Sequence, residues 1–253
     1  MTTHQPPSPQ DFADIRALLI NCSLNKDSAQ SHTGRLLGAV GDLMSRAGAQ
    51  VDTLYALDYC LPPGVYPDMR EHGWAEDAWP ETVWPRVQQA DILVIGTPLW
   101  LGEESSVCRI IIERLYAMSG ELNEKGQSSF YGKVGGAVIT GNEDGVKHAA
   151  MTLTFALSHL GYTIPPQADC GWLGEIGPGP SYADPAPEEG GTPVGFDNEF
   201  TQRNATIMTW NLLHLARLLR GGLPNYGNDR RAWEAGERFG WRNPEPLPAK
   251  PQE

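Results

Sequence analysis

Basic residues are scarce in this chain of 253 residues: 19 Lys and Arg stand against 31 Asp and Glu, a formal net charge of −12. Nucleic acids and anionic membrane surfaces require basic patches, so neither is expected as a partner. Any bound phosphate must rely on backbone N–H groups, hydroxyls and local dipoles rather than a general positive field. No apolar run approaches the ~20 residues that cross a bilayer. The N-terminal MTTHQPPSPQDFAD lacks the basic start and apolar core of a signal peptide. Cysteine is sparse too. Cys22, Cys60, Cys108 and Cys170 lie far apart with no C-x-x-C pair. That spacing suits reduced thiols and a cytoplasmic location better than a disulfide framework. Internal repeats are absent.

Three nucleotide or phosphate motifs are missing after the first apolar run, Ile15–Ile20. The following loop has no glycine before Gly34, which excludes G-x-G-x-x-G, and it has no G-K-[ST]. Cys22 stands where a C-x5-R phosphatase keeps its nucleophile, but Ser28 replaces the arginine that would hold the transferred phosphate.

What is present is alternation. Strands are expected at Ile15–Ile20, Gln50–Leu57, Asp91–Gly96, Lys133–Thr140 and Gln167–Leu173, the last approached through Thr163–Ile164. Helices are expected at Thr33–Gly48, Pro80–Gln89, Ser106–Met118, Val146–Leu160 and Asn198–Arg220, with a short one at Asp229–Phe239. The pattern predicts an α/β fold: a doubly wound, five-stranded parallel sheet in three α/β/α layers, order 2-1-3-4-5, flavodoxin-like in topology. Residues 1–13 read as a flexible tail, 14–220 as the domain with a Gly/Pro-rich insertion at 174–197, and 221–253 as an extension.

In such a sheet, the loops after strands 1, 3 and 4 meet at the switch point. Loop 1 carries Ser23, Ser28, Ser31 and Thr33, with Lys26 and His32 nearby, and leads into a helix whose first N–H groups favour an anion. It reads as a cradle for a static phosphate, or as an ordinary polar turn capped at Ser31 or Thr33. Loop 2, Thr97–Ser105, sets Pro98, Leu99, Trp100, Leu101 and Gly102 on the rim. A flat aromatic ring suits that apolar loop; so does packing of Trp100 within the loop or against a second copy. Loop 3 offers Thr140, Gly141, Asn142 and Gly145, with His148 just inside helix 4 as a pocket or structural residue. Glu143 and Asp144 read as acids complementing the helix dipole. Two segments could cover the site or simply pack as loops: Cys60–Trp79, with Tyr66 and Trp74, and Gly174–Asp197, with Tyr182.

The segments CSLNKDSAQSHT, DILVIGTPLWLGEESSVCRIIIERL and VITGNEDGVKHAAMTLTFALSHLGYTIPP resemble the NADPH-dependent FMN reductase group of flavodoxin-like proteins, including relatives of WrbA-type quinone reductases. The similarity runs from about Ile15 to Arg220, and T-P-x-W-x-G and G-N-E-D-G are its more specific parts. The resemblance implies FMN. Loop 1 would take its phosphate at Ser23, Ser28, Ser31 and Thr33. Loop 2 would wrap the isoalloxazine with Pro98 to Gly102, and loop 3 would meet its pyrimidine end at Thr140 to Asn142 and Gly145. Two departures stand out: Asn21-Cys22-Ser23 where many members have a glycine before the serine, and Asn25 where many have arginine. Related iron–sulfur flavoproteins carry a compact cysteine cluster, whereas here Cys60 alone lies near the second loop region, so no cluster is expected.

The resemblance further implies NADPH or NADH as co-substrate, a quinone, flavin or similar small-molecule acceptor, flavin-borne chemistry with no protein acid–base residue, and a homodimer or homotetramer. A flavodoxin-like electron carrier and a flavin-free binding protein on the same fold are the rival readings.

Overall fold

The computed structural model describes residues 7–175 and 179–247. Its three central strands are short apolar runs buried on both faces, as central parallel strands must be. In chain order the elements are β1 (Arg16–Asn21), α1 (His32–Arg46), β2 (Gln50–Tyr55), α2 (Trp84–Gln89), β3 (Ile92–Trp100), β4 (Glu103–Glu104), α3 (Ser106–Ala117), β5 (Val134–Gly141), α4 (Val146–Leu160), β6 (Asp169–Leu173), α5 (Glu199–Leu219) and α6 (Arg230–Glu234).

The parallel strands run β2-β1-β3-β5-β6, the expected 2-1-3-4-5 path, and β4 pairs antiparallel to the end of β3. Successive residues of each strand feed opposite cores. Leu18, Ile20, Leu93 and Ile95 join Trp79, Val87, Ile111, Leu115 and Leu153 on the α2–α3–α4 face. Ala17, Leu19, Ile92 and Val94 join Leu36, Val40, Met44, Met208 and Leu212 on the α1–α5 face. The fold is the flavodoxin-like three-layer α/β/α sandwich.

Register across the sheet sets the site. Pro98 pairs with Thr140, and Thr140 pairs with Trp172, so these three residues form a row at the carboxyl edge. Gly96 lets α1 lie close over β3. A Cβ there would come 2.3 Å from Leu37 Cδ1 and 3.0 Å from Thr33 Cγ2.

Several expected boundaries shift. Thr97–Trp100 continues β3 rather than forming a loop, because the chain folds back at once through Leu101–Gly102 to pair Trp100 with Glu103. Both turn residues have positive φ, 53° and 80°, as a type I′ hairpin requires. The expected helix Pro80–Gln89 is split: Trp79–Val83 form a π turn, and α2 starts at Trp84 with Pro85 in its first turn. β2 ends at Tyr55 in a 3-10 turn, Ala56–Asp58. Thr163 makes only an isolated bridge to Val134. The short C-terminal helix is confined to α6.

Residues 1–6 of the expected tail lie outside the described part. Pro9–Phe12 form a 3-10 turn capped by Ser8, and Phe12 is buried against Trp210 and His214. The Cys60–Trp79 loop is pinned by a fully buried ion pair: Arg114 donates to Asp77 at 2.6 Å and to the Pro67 carbonyl at 3.1 Å. Asp77 also accepts from Met69 N and Trp79 N.

Candidate functional site

The carboxyl ends of β1, β3, β5 and β6 open on a cavity of about 930 Å³. All three loops singled out from the sequence reach it. Ser23, His32 and Thr33 line it from loop 1 and α1; Pro98, Leu99, Trp100, Leu101 and Gly102 from loop 2; Thr140, Gly141 and Asn142 from loop 3.

Loop 1 is braced from below. The Tyr55 hydroxyl donates to the carbonyls of Ser23 and Asn25, and burial raises its pKa. Asn21 accepts from Ser23 N at 3.0 Å and donates to Ser31 Oγ at 3.0 Å. Ser31 caps α1 by accepting from Gly34 N at 2.9 Å. The N–H groups of His32 and Thr33, at the first two positions of α1, have no partner inside the helix by its geometry. The Ser23 hydroxyl lines the cavity and makes no hydrogen bond among the described residues. Thr33 Oγ1 lies 2.7 Å from Thr140 Oγ1. One hydroxyl proton serves that bond, and the other is left over.

The bases of loops 1 and 2 are sewn together. Ser105 Oγ donates to Cys22 O at 2.7 Å and caps α3 through Cys108 N, while Thr97 Oγ1 accepts from Ser105 N at 2.9 Å. Burial, reinforced by Cys108, pushes the Cys22 thiol well above its ordinary range. A thiol kept protonated is no nucleophile, in keeping with the missing phosphatase arginine.

The tip of loop 2 rests on loop 3. Leu101 N donates to Glu143 Oε2 at 2.8 Å, and Gly102 O lies 3.1 Å from His148 Nδ1. Gly145 adopts φ 118°, and a Cβ on it would come 2.5 Å from Gly102 Cα. Two glycines therefore let the loops touch backbone to backbone. Leu99 turns inward and is buried, while Trp100 is 52% and Leu101 91% exposed at the rim.

Five of the residues expected at the site do not line the cavity. Lys26 and Ser28 point to solvent, Ser28 opening a 3-10 turn. Ser31 is committed to its cap. Gly145 and His148 support loop 2 from outside. His32 lines the cavity, but its ring is engaged elsewhere: Nδ1 accepts from Ala183 N at 3.2 Å and Nε2 faces Asp184 Oδ1 at 3.6 Å. Tyr66 and Trp74 are absent from the lining, because the Cys60–Trp79 loop packs against α3 instead.

Sequence reasoning did not single out Leu24, Asn25, Gln30, Glu143, Asp144, Trp172 or Ser181 as lining residues, and it left Tyr182 open. Trp172, the partner of Thr140 in register, was the detectable one: an aromatic near the carboxyl end of a strand next to the switch point.

The donor set fits a phosphate monoester at one end: two helix-start N–H groups, the Ser23 hydroxyl and the spare threonine proton. The opposite wall, with Pro98, Leu99 and Trp100 facing Gly141 and Asn142, fits a flat ring with a polar edge. Among the described lining residues there is no Lys or Arg.

The sequence profile of the NADPH-dependent FMN reductase family matches residues 15–171. The 8-demethyl-8-aminoriboflavin-5'-phosphate synthase of Streptomyces davaonensis is 31% identical over 210 residues, covering 81% of this chain and 79% of that one. The divalent metal cation transporter MntH of Mycobacterium bovis is 54% identical over 213 residues, 84% of this chain, and this chain spans 30% of that relative's length. The crystal structure of RosB with the bound intermediate 8-demethyl-8-formylriboflavin-5'-phosphate superposes with a TM-score of 0.76 at 30% identity, covering 94% of this chain and 95% of that one. The NADH:FMN oxidoreductase EMOB, in its apo form, shares the fold at a TM-score of 0.51 and 14% identity, over 81% of this chain and 89% of that one. The chain belongs to the NADPH-dependent FMN reductase family.

Proposed function

We propose that this protein binds riboflavin 5'-phosphate (FMN) and passes reducing equivalents from NADPH or NADH to a small acceptor such as a quinone or a free flavin. One observation carries the reading: the start of α1 and the Ser23 hydroxyl open on the same cavity as loops 2 and 3, and the Thr33–Thr140 hydroxyl pair joins α1 to loop 3. FMN, when bound, would take hydride from the nicotinamide and deliver electrons to the acceptor. The protein's own part is to hold and orient. The N–H groups of His32 and Thr33 and the hydroxyl of Ser23 would hold the phosphate. Pro98, Leu99 and Gly141 would flank the ring, and Asn142 and the backbone of loop 3 would meet its polar edge. Trp100 would shape the entry for the second substrate. Its exposure beside Leu101 also offers an apolar contact for a second copy, which supports a homodimer or homotetramer.

A yellow protein, or a colourless one that takes up added FMN and then oxidises NAD(P)H with a quinone, is the expected result. A colourless protein that does not take up FMN would sink the proposal.

A second reading has its own support. The flavin phosphate could be a reactant rather than a resident cofactor; the name of the Streptomyces davaonensis relative says that that protein makes a modified riboflavin 5'-phosphate. The structural likeness to RosB covers 94% of the chain and so extends past the family-defining region into the segment after β6. Among the described residues, the lining carries Glu143 and Asp144 but no Lys or Arg, which suits a flavin that exchanges. Desalting separates the two readings: a resident cofactor stays with the protein, and a substrate washes out.

A further inference from the structure

The segment between β6 and α5 lies beyond the residues matched by the family profile. Its described part, residues 179–197, has no regular secondary structure, yet it is fastened at several points. Asn142 Nδ2 donates to Gly179 O at 2.9 Å. Ser181 N donates to Asp184 Oδ2 at 2.6 Å, and Ala183 N donates to His32 Nδ1 at 3.2 Å. The Tyr182 ring is held between Trp172, edge-on with centroids 5.9 Å apart, and Phe196 at 5.2 Å. These contacts join the strap to loop 3, to the first residue of α1 and to the end of β6.

Tyr182 is 6% exposed and lines the cavity. Its hydroxyl makes no hydrogen bond among the described residues. A tyrosine hydroxyl without a protein partner takes one from solvent or from a ligand. The ring is held between Trp172 and Phe196, and its hydroxyl is not among the sealed, unpartnered polar atoms of the described core, so it keeps accessible surface where the residue lines the cavity.

We propose that the strap is the fourth wall of the ligand site, with the Tyr182 hydroxyl donating a hydrogen bond to bound riboflavin 5'-phosphate and His32 serving as a positioning residue that latches the strap. Burial raises the pKa of Tyr182, so the group stays a phenol, and a donor, at neutral pH. The inference rests on the FMN reading and adds a contact from outside the family-defining region. It also changes the part played by His32, whose two ring nitrogens face the strap rather than the phosphate.

The test is an FMN titration of wild type, Tyr182→Phe and His32→Ala, followed by quenching of flavin fluorescence, with the thermal midpoint of each ligand-free protein measured alongside. Loss of a single neutral hydrogen bond should weaken FMN binding by Tyr182→Phe roughly 2- to 12-fold. The ligand-free midpoint should be unchanged, because the phenol has no partner to lose among the described residues. His32→Ala should weaken binding as well and make the Tyr182 region more susceptible to proteolysis. If wild type binds and Tyr182→Phe binds equally well, the strap assignment is wrong while the FMN reading stands. A drop in the ligand-free midpoint of Tyr182→Phe would also overturn it, by showing that the hydroxyl serves the fold. If wild type itself shows no quenching, both readings fall.

Discussion

The hydroxyls of Thr33 and Thr140 lie 2.7 Å apart, bridging 107 residues of sequence between the second residue of α1 and the end of β5. Both side chains are buried. The contact exists because Gly96 lets α1 approach β3 closely enough to bring Thr33 over the sheet edge. It ties the proposed phosphate end of the cavity to the proposed ring end.

Thr33→Val should leave the Thr140 hydroxyl buried with one partner fewer, lowering stability by about 1–3 kcal/mol, and should weaken FMN binding about tenfold. Thr33→Glu should abolish flavin retention by placing a carboxylate against the phosphate. Ser28→Glu is the control: exposed at the start of its 3-10 turn, it should change affinity little. Isothermal titration with FMN and urea denaturation check both parts, and equal damage from the Ser28 and Thr33 changes would contradict the anchor.

Trp100→Ala should alter turnover or acceptor preference while most flavin remains bound. The side chain is half exposed at the rim, and the backbone beside it is held independently by Glu143 and His148. Steady-state kinetics with quinones of different size, beside an FMN titration, would reveal the split. Complete loss of flavin would instead make Trp100 part of the anchor.

Removing one partner of the buried Arg114–Asp77 pair should cost about 3–5 kcal/mol, since the other charge is left unpaired in the core. Replacing both together with apolar residues should cost far less. FMN affinity should survive in the folded fraction, because the Cys60–Trp79 loop is remote from the cavity. Denaturation of Arg114→Met, Asp77→Leu and the double variant tests this as a thermodynamic cycle.

Lys133 gives a pH signature. Its ammonium donates to the carbonyls of Gln88 and Ala90, both at 2.6 Å. Burial, aided by Arg220 and opposed by Asp91, lowers its pKa from the usual 10.5 to about 8. Between those two values the unfolded chain binds more protons than the folded one, so stability rises with pH across that window. Below it, the cost of burying the charge is fully present. Lys133→Met should abolish this alkaline rise in urea-denaturation midpoints; an unchanged slope would refute the assignment.

The sheet was legible because each central strand is a short apolar run between turn residues, and the alternation of strand and helix leaves few topologies open. The β3–β4 hairpin was not. Its turn is Leu101–Gly102, and a leucine at positive φ does not look like the usual Asn-Gly signal. Pro98 also suggested that the chain was leaving the sheet, although the strand continues two residues beyond it. The helix before β3 was read as one element with Pro80 near its first turn, whereas it is Pro85 that sits in the first turn of α2. At the site, hydroxyls were legible as residue types but their directions were not. Ser31 and Thr33 sit two apart in sequence, and only the fold decides that one caps the helix while the other reaches β5. The strap gave the weakest signal, since Tyr182 lies in a Gly- and Pro-rich stretch without periodicity.

The strap is tethered at one end by an edge strand and at the other by α5; of its own residues, Tyr182 packs on Trp172 and Ala183 bonds His32, and the stretches between these points have no regular structure. Those stretches are thus a replaceable part. Lengthening, shortening or rewriting it could change which molecule the cavity accepts without touching the parallel sheet, so members with nearly superimposable bodies could diverge in chemistry through this one stretch of chain.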